Sequence, residues 1–414
     1  MTILFGMAIL AILIGLGYYI YLLCTPKENQ MKKETDIKEK PEIAILIPAR
    51  NESLVIEDLL KSIVEQSYSV DPKDVYVIVE SSDDPTVELV KKYKMSYFVR
   101  KKLNLKTKGY ALAELAEDLD QKHKYYDIYF IFDADNVLDP DFIKYMLLDY
   151  QAGYAVSTGY RALKNPNHYF PVSAGLTFFM INEIRNRGAL KKNGSLILSG
   201  TGYYIHGKYI KKWRTFPFHS LTEDYESSLY YALHGISTHY QDQAIFYDEQ
   251  PDTYHKSIVQ RSRWIKGYLQ NWLQYIPKLK AKYKENPLNK RSLLELRIGI
   301  TPALYIVFGM LFLLILVILS TSISLSWRLA IYFCFFLGII YLCLVLLTAI
   351  LLWMASKQMR LSGKVFLQVL FYHPIFILSY IHAFFVAMLK RDLGWQEITH
   401  TKRVAVIDGQ TKKN

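Results

Sequence analysis

Cysteine is scarce in this chain: Cys24, Cys334 and Cys343 are the three among 414 residues, and none lies between Pro26 and Arg297. That long polar stretch has no material for a disulfide framework or a cysteine-based zinc site, which agrees with a reducing, cytosolic setting. Charge is missing elsewhere. Residues 3–24 carry no Asp, Glu, Lys or Arg, and residues 298–327, 329–356 and 365–389 are equally uncharged. Each run is long enough to cross a bilayer, which takes about 20 residues. No basic segment precedes the first run and no small-residue cleavage site follows it, so it reads as a transmembrane helix rather than a secretory signal.

A composition of 51% hydrophobic and 21% charged residues fits neither a wholly soluble nor a wholly membrane protein. It fits one soluble domain with several membrane segments. The net charge of +12 sits largely at the borders of the apolar runs, on Lys27, Lys32 and Lys33 at one end and Lys357, Arg360, Lys390 and Arg391 at the other. Anionic headgroups and the positive-inside rule explain that placement better than nucleic acid does, and they put the polar stretch in the cytosol. One initial span and three later ones would leave the basic tail outside. Residues 365–389, interrupted by His373-Pro374, are therefore expected to be re-entrant or interfacial.

The polar stretch alternates two kinds of unit. Ile43-Ala44-Ile45-Leu46-Ile47 ends at Pro48-Ala49-Arg50-Asn51-Glu52, and Leu54, Ile56, Leu59, Leu60 and Ile63 then recur at helical spacing. Val75-Tyr76-Val77-Ile78-Val79 ends at Glu80-Ser81-Ser82-Asp83-Asp84 ahead of a helix over residues 86–94. Repeated strand, loop and helix imply a doubly wound α/β domain with a mostly parallel sheet. Its ligands are expected at the carboxyl ends of the strands.

The run Ile128-Tyr129-Phe130-Ile131-Phe132 stops at Asp133-Ala134-Asp135-Asn136. Two carboxylates on a short turn suit Mg²⁺ or Mn²⁺ bridged to a diphosphate. The competing reading makes them caps for the helix near Pro140-Asp141-Phe142. Lys106 and Lys108 flank a helix start that could hold an anion or merely be solvated. Ser199-Gly200-Thr201-Gly202 permits close backbone approach to a ligand, or a plain turn. In Thr222-Glu223-Asp224 the threonine could simply cap a helix whose dipole the acids complement. Residues 254–275 form an amphipathic, aromatic stretch in which Arg261 and Trp264 could be membrane anchors.

Taken in order, Pro48-Ala49-Arg50-Asn51-Glu52, Glu80 with Asp84, Asp133-x-Asp135, Thr222-Glu223-Asp224 and Gln260-x-x-Arg263-Trp264, framed by membrane helices, resemble the processive inverting β-glycosyltransferases. That group includes the cellulose, chitin, hyaluronan and poly-N-acetylglucosamine synthases. The resemblance implies a GT-A-type nucleotide-sugar-binding domain, a divalent metal (Mg²⁺ or Mn²⁺) and a nucleotide-diphosphate sugar, with UDP-sugar expected. By position, Glu80, Asp133 and Arg263 would bind the donor and Asp135 the metal. Asp224 would be the general base, with Glu223, Gln260 and Trp264 on the acceptor side. Where the family usually reads Asp-Asp-Gly-Ser, this chain has Val79-Glu80-Ser81-Ser82, with one extra methylene on the acid and no Gly at the turn, which bears on base and sugar preference.

The implied organisation is a transmembrane helix at 1–25, a linker at 26–41 and a cytosolic glycosyltransferase domain at 42–253. Interfacial helices at 254–297, transmembrane helices at 298–389 and a basic tail at 390–414 follow. The expected product is a growing polysaccharide made at the cell membrane by a multi-pass enzyme. A non-processive relative glycosylating a membrane lipid is the alternative acceptor reading. An inactive sugar-nucleotide sensor would lack a base or a metal ligand, and neither is missing.

Overall fold

The computed structural model describes residues 40–190, 196–285, 327–355, 358–359 and 361–390, together with positions 6, 10, 13 and 37. Apart from Gly6, Leu10 and Leu13, which are helical, the expected first membrane segment lies outside the described residues. So do most of the linker, residues 286–326 and the tail from 391.

Eight strands form one sheet in the order β3-β2-β1-β4-β7-β6-β8-β5. They are β1 (Ile43–Pro48), β2 (Val75–Val79), β3 (Ser96–Val99), β4 (Ile128–Ile131), β5 (Val137–Leu138), β6 (Val156–Leu163), β7 (Tyr203–His206) and β8 (Thr238–Asp248). The sheet is mixed, with four of its seven pairings parallel, so the mostly parallel expectation holds only for part of it. Strands β3, β2, β1 and β4 run parallel, β7 is antiparallel to both β4 and β6, and β8 is parallel to β6 and antiparallel to β5. Because β7 reverses direction on both sides, β4, β6 and β8 still point the same way. Their carboxyl ends share one edge, and that edge holds the cleft described below.

The apolar runs are continuous because both sheet faces are covered. Ile43, Ile45, Ile47, Val75, Val77, Ile128 and Phe130 pack on helices α1 (Ile56–Val64), α2 (Thr86–Lys92) and α4 (Phe142–Gln151). The alternate residues Ala44, Leu46, Tyr76, Ile78, Tyr129 and Ile131 pack on α3 (Lys108–Gln121). After β6 come α5 (Tyr169–Met180), a π-helical turn (Ile181–Asn186) and α6 (Arg187–Leu190). Helix α7 (Gly207–Trp213) follows β7, and α8 (Glu223–His234) precedes β8.

Three long helices close the described chain: α9 (Tyr254–Glu285), α10 (Trp327–Ala355) and α11 (Gly363–Leu389). Helix α11 runs unbroken through Pro374 for 27 residues, about 40 Å at 1.5 Å per residue. The expected interruption at His373-Pro374 is therefore absent. The proline removes the donor that the Leu370 carbonyl would otherwise meet, and on the next residue the Tyr341 hydroxyl of a neighbouring helix donates to the carbonyl of Phe371 at 2.8 Å. Among the described residues α11 is the one helix long and apolar enough to cross a membrane by length and composition. Helices α10 and α11 are attached to the domain through α5, whose Val172, Leu176 and Phe179 pack on Leu351, Leu352, Val365 and Val369.

Gly109 in the first turn of α3 is a tight point of this assembly, because a Cβ there would lie 1.9 Å from the Phe218 carbonyl oxygen. The Gly109→Ala change must push α3 off the segment before α8, an overpacking cost of about 1–3 kcal/mol. Thermal unfolding of the purified variant should show that loss, and an unchanged midpoint would refute the close approach.

Candidate active site

The acids of the D-x-D turn do not cap α4, whose N-cap residue is Asp141. They stand at the mouth of β4, where Thr201 and Asn136 shape the turn. The Asp133 amide donates to Thr201 Oγ1 at 2.8 Å and to Asn136 Oδ1 at 3.2 Å. Carboxylate oxygens of Asp133, Asp135 and Asp248 lie within 4.8 Å of one another. Asp248 ends β8, and nothing local in the sequence marked it. Asn136 bridges the group by donating to Asp135 Oδ1 (3.2 Å) and Asp248 Oδ1 (2.9 Å).

Such an all-oxygen set fits a hard divalent cation, and its surroundings supply counter-charge. Arg161, from β6, donates to Asp248 Oδ2 at 2.6 Å and to the Ser199 carbonyl at 2.6 Å. Burial nevertheless holds the Asp248 pKa above the usual carboxylate range, against the pull of Arg161. Lys108 Nζ reaches Asp133 Oδ1 at 2.5 Å and the Gly200 carbonyl at 2.7 Å. Burial disfavours the Lys108 charge, but Asp133, Glu223 and Asp224 more than offset it, so its pKa is raised. Lys108 is thus part of the cleft and not a solvated surface lysine.

Gly200 has φ +86°, and a Cβ there would stand 3.5 Å from Asp224 Oδ2. The Ser199–Gly202 turn accordingly serves two purposes. Thr201 supports the D-x-D backbone, while Gly200 leaves room beside Asp224. Gly202, at φ +66°, faces the Phe246 ring, which a Cβ would meet at 2.1 Å.

Glu223 and Asp224 occupy the first turn of α8. Thr222 is the N-cap residue, but its side chain makes no capping bond. Its hydroxyl accepts instead from Asn271 Nδ2 at 3.1 Å, and its carbonyl does so at 3.2 Å. A Cβ on Gly267 would meet Thr222 Oγ1 at 2.6 Å, so α9 crosses α8 closely at this point. One turn earlier on the same helix come Arg263 and Trp264. Arg263 Nε has no hydrogen-bond partner. Burial lowers the Arg263 pKa, opposed by Glu223, Asp133 and Asp224. Trp264 packs edge-on against Phe178, with centroids 5.8 Å apart.

Glu80 lies at the mouth of β2, 3.0 Å from Arg50 Nε and 3.7 Å from Arg100 Nη1. Arg100 is itself fixed by Glu114 at 2.8 Å. Asp84 does a structural job, accepting from the amides of Thr86 (2.9 Å) and Asn51 (3.3 Å).

Glu80, Asp133, Asp135, Glu223, Asp224, Gln260, Arg263 and Trp264 all line a single cleft of about 320 Å³, together with Lys106, Lys108, Arg161, Asp248 and Tyr380. Every site residue expected from the sequence is therefore brought to one place. Asp248, Arg161 and Tyr380 are the additions. Arg261 does not face the cleft: it is buried, with its guanidinium over the Phe376 and Tyr380 rings of α11.

With acidic and basic side chains converging where the strands end, the cleft has the form of a site for a charged ligand. Residues 41–267 match the family described as Glycosyltransferase like family 2. That is more than half of the chain, and the protein belongs to this family and has a GT-A-like fold. The probable glycosyltransferase YdaM of Bacillus subtilis (strain 168) is 24% identical over 276 residues, covering 64% of this chain and 66% of that protein. The poly-beta-1,6-N-acetyl-D-glucosamine synthase of Staphylococcus epidermidis is 24% identical over 265 residues, 62% of this chain and 61% of that one. The chain thus spans a little under two thirds of the length of either relative. Among solved structures, a mannosyltransferase from Pyrobaculum calidifontis, in complex with GDP-Man and Mn²⁺, shares the fold with a TM-score of 0.61 at 15% identity. That match covers 94% of this chain and 100% of the other.

Burial pushes the Glu223 pKa up to about 8, with Asp224 adding to the shift and Lys108 opposing it. The folded state therefore holds this proton more tightly than the unfolded chain. The resulting stability is present at low pH and is lost as pH rises through about 8. Glu223→Gln, which cannot ionise, should gain thermal stability relative to the parent between pH 6 and pH 9. A difference in melting temperature that does not change with pH would refute the assignment.

Proposed function

We propose that the protein is a membrane-embedded, metal-dependent, inverting β-glycosyltransferase that moves a sugar from a nucleotide-diphosphate sugar onto a growing polysaccharide. The observation that carries this reading is the meeting, in one cleft, of a carboxylate base, a three-acid cation site, a guanidinium whose Nε has no protein partner and an aromatic wall. The named synthase among the relatives supports a saccharide acceptor. The nucleotide-sugar ligand of the mannosyltransferase supports the donor class.

Asp133, Asp135 and Asp248 would hold Mg²⁺ or Mn²⁺, with Asp135 as the principal ligand; the ion would neutralise charge developing on the departing diphosphate. The protein's own groups do the rest. The Asp224 carboxylate takes the proton of the acceptor hydroxyl as its oxygen bonds to the anomeric carbon from the face opposite the diphosphate. The bond from that carbon to the phosphate oxygen breaks, and the leaving nucleoside diphosphate keeps the electron pair. Burial raises the Asp224 pKa, against the Tyr225 amide and the charges of Lys108 and Arg161, which makes it a stronger base than a solvated carboxylate. Arg263 presents a planar fork to the diphosphate oxygens. Glu80, braced by Arg50 and Arg100, would take the base or ribose, and Gln260, Glu223 and Trp264 would line the acceptor path.

Membrane embedding is supported by two apolar stripes. Leu342, Leu346, Ile350 and Trp353 on α10 are exposed, as are Leu367, Phe371, Ile375 and Leu378 on α11. Both stripes repeat at i, i+4, i+8, i+11, which puts each on one helix face. Contiguous apolar surface of that length is paired with a membrane or a partner in stable proteins. The basic run Lys27, Lys32 and Lys33 supports placing the catalytic domain on the cytosolic side.

In Asp224→Asn, transfer should fall by about 10²–10⁴-fold while donor affinity, read by calorimetry, stays close to the parent value. Asp135→Asn should instead weaken Mn²⁺ binding and abolish transfer. Full activity of either variant would sink the corresponding role. Chromatography of the product from purified protein decides the acceptor, because a saccharide ladder supports the polymer and a single glycolipid overturns it.

Trp264 is tested separately. Stacking of a sugar on its face is worth on the order of 1 kcal/mol, and displacing the acceptor by about 1 Å can cost roughly 10²-fold more. Trp264→Leu should remain folded and membrane-bound, bind donor and transfer little sugar. Normal turnover would make Trp264 a membrane anchor only.

A further inference from the structure

Helix α9 carries two arginines two positions apart, and they belong to different surfaces. Arg263 borders the cleft. Arg261 is 1% exposed and is the largest fully buried side chain among the described residues. Its partners are carbonyls and rings. Nη1 donates to the Phe376 carbonyl at 3.2 Å, and Nε donates to the Ser257 carbonyl at 3.2 Å. The guanidinium carbon sits 4.2 Å from the Phe376 ring centroid and 4.5 Å from that of Tyr380. A buried charge is costly to desolvate. A guanidinium recovers part of that cost where its plane stacks on aromatic faces while its edge donates hydrogen bonds.

Both rings come from α11, and Tyr380 also forms part of the cleft wall beside Gln260, Arg263 and Trp264. The Arg261 contact therefore lies between the apolar helix and the turn of α9 that faces the substrates. Two exposed bonds flank it: the Tyr254 hydroxyl with His382 Nδ1 at 2.8 Å, and Lys266 Nζ with the Lys390 carbonyl at 2.6 Å.

We propose that Arg261 is a positioning residue that locks α11 to the Gln260–Trp264 turn through Tyr380, so that the seating of the apolar helix sets the geometry of the cleft wall. The proposal goes beyond the glycosyl-transfer reading and rests on it only for the activity readout. Arg261 is not part of the cleft lining.

The experiment uses the full chain in lipid nanodiscs, with Arg261→Met, Arg261→Lys, Tyr380→Leu and the Arg261→Met/Tyr380→Leu double variant. Arg261→Met should lower kcat for transfer by at least about tenfold with the donor dissociation constant within about twofold, since small misplacements act on rate before binding. Lysine should not rescue it, because an ammonium neither stacks on two faces nor forks. The double variant should be no slower than the more impaired single variant, as expected for two residues acting through one contact. Amide hydrogen exchange over residues 257–268 should accelerate in Arg261→Met. Exchange is independent of activity, so if the parent protein transfers no sugar the functional reading fails while exchange still decides the coupling. If Arg261→Met does not fold, Tyr380→Leu carries the same kcat and exchange test. Parental kcat in a folded variant, full rescue by lysine, additive losses or unchanged exchange would each overturn the proposal.

Discussion

Mutual repulsion among Asp133, Asp135, Glu223, Asp224 and Asp248, crowded around one cleft, is the constraint on which the rest of the structure depends. Left alone, such a group would protonate or force the elements apart. Three cations from three different elements prevent this: Lys108 from the start of α3, Arg161 from β6 and Arg263 from α9. Each is positioned by something other than the acids. Lys108 also bonds the Gly200 carbonyl, Arg161 also bonds the Ser199 carbonyl and stacks 3.7 Å from the Phe178 centroid, and Arg263 is carried by a helix pinned at Thr222. The balance is incomplete, as the raised pKa values of Glu223 and Asp224 show. That leftover basicity is what a proton-abstracting group uses.

The sheet topology follows from the same requirement. Acids at the ends of β4 and β8 can share a ligand only if both strands end at one edge. The antiparallel β7, inserted between β4 and β6, keeps that alignment while changing the chain's route. Its four residues are too few to announce a direction, and Tyr203, Tyr204 and Ile205 are buried on both faces. For this reason the sequence supports an α/β sheet with ligands at strand ends but not the mixed order of the strands.

Legibility within the site divides along the same line. Asp133, Asp135 and Asp224 are readable because each closes an apolar run or opens a helix within a recognisable string of residues. Asp248 is not, since its partner Asn136 lies 112 residues away and an acid after a strand is common. Arg161 looks like any polar residue at the end of a strand until Ser199 and Asp248 close around it. Pro374 misleads in the other direction. Read locally it breaks a helix, whereas in the structure the packing of α11 on α9 and α10 outweighs one missing donor.

Helix α9 explains why the spacing of Gln260, Arg263 and Trp264 matters physically. Steps of three and four residues place these with Gly267 and Asn271 on one stripe, and that stripe meets α8 and the cleft. Gly267 lacks the Cβ that would hold the helices apart, and Asn271 spends its amide on Ser220 and Thr222, so the stripe is fixed at its far end. Arg261 faces α11 from a different side of the same helix. Within these turns of one helix, the face toward the cleft cannot rotate without the face that carries Arg261. The seat of the apolar helix and the distance of Trp264 from Asp224 are therefore one mechanical variable.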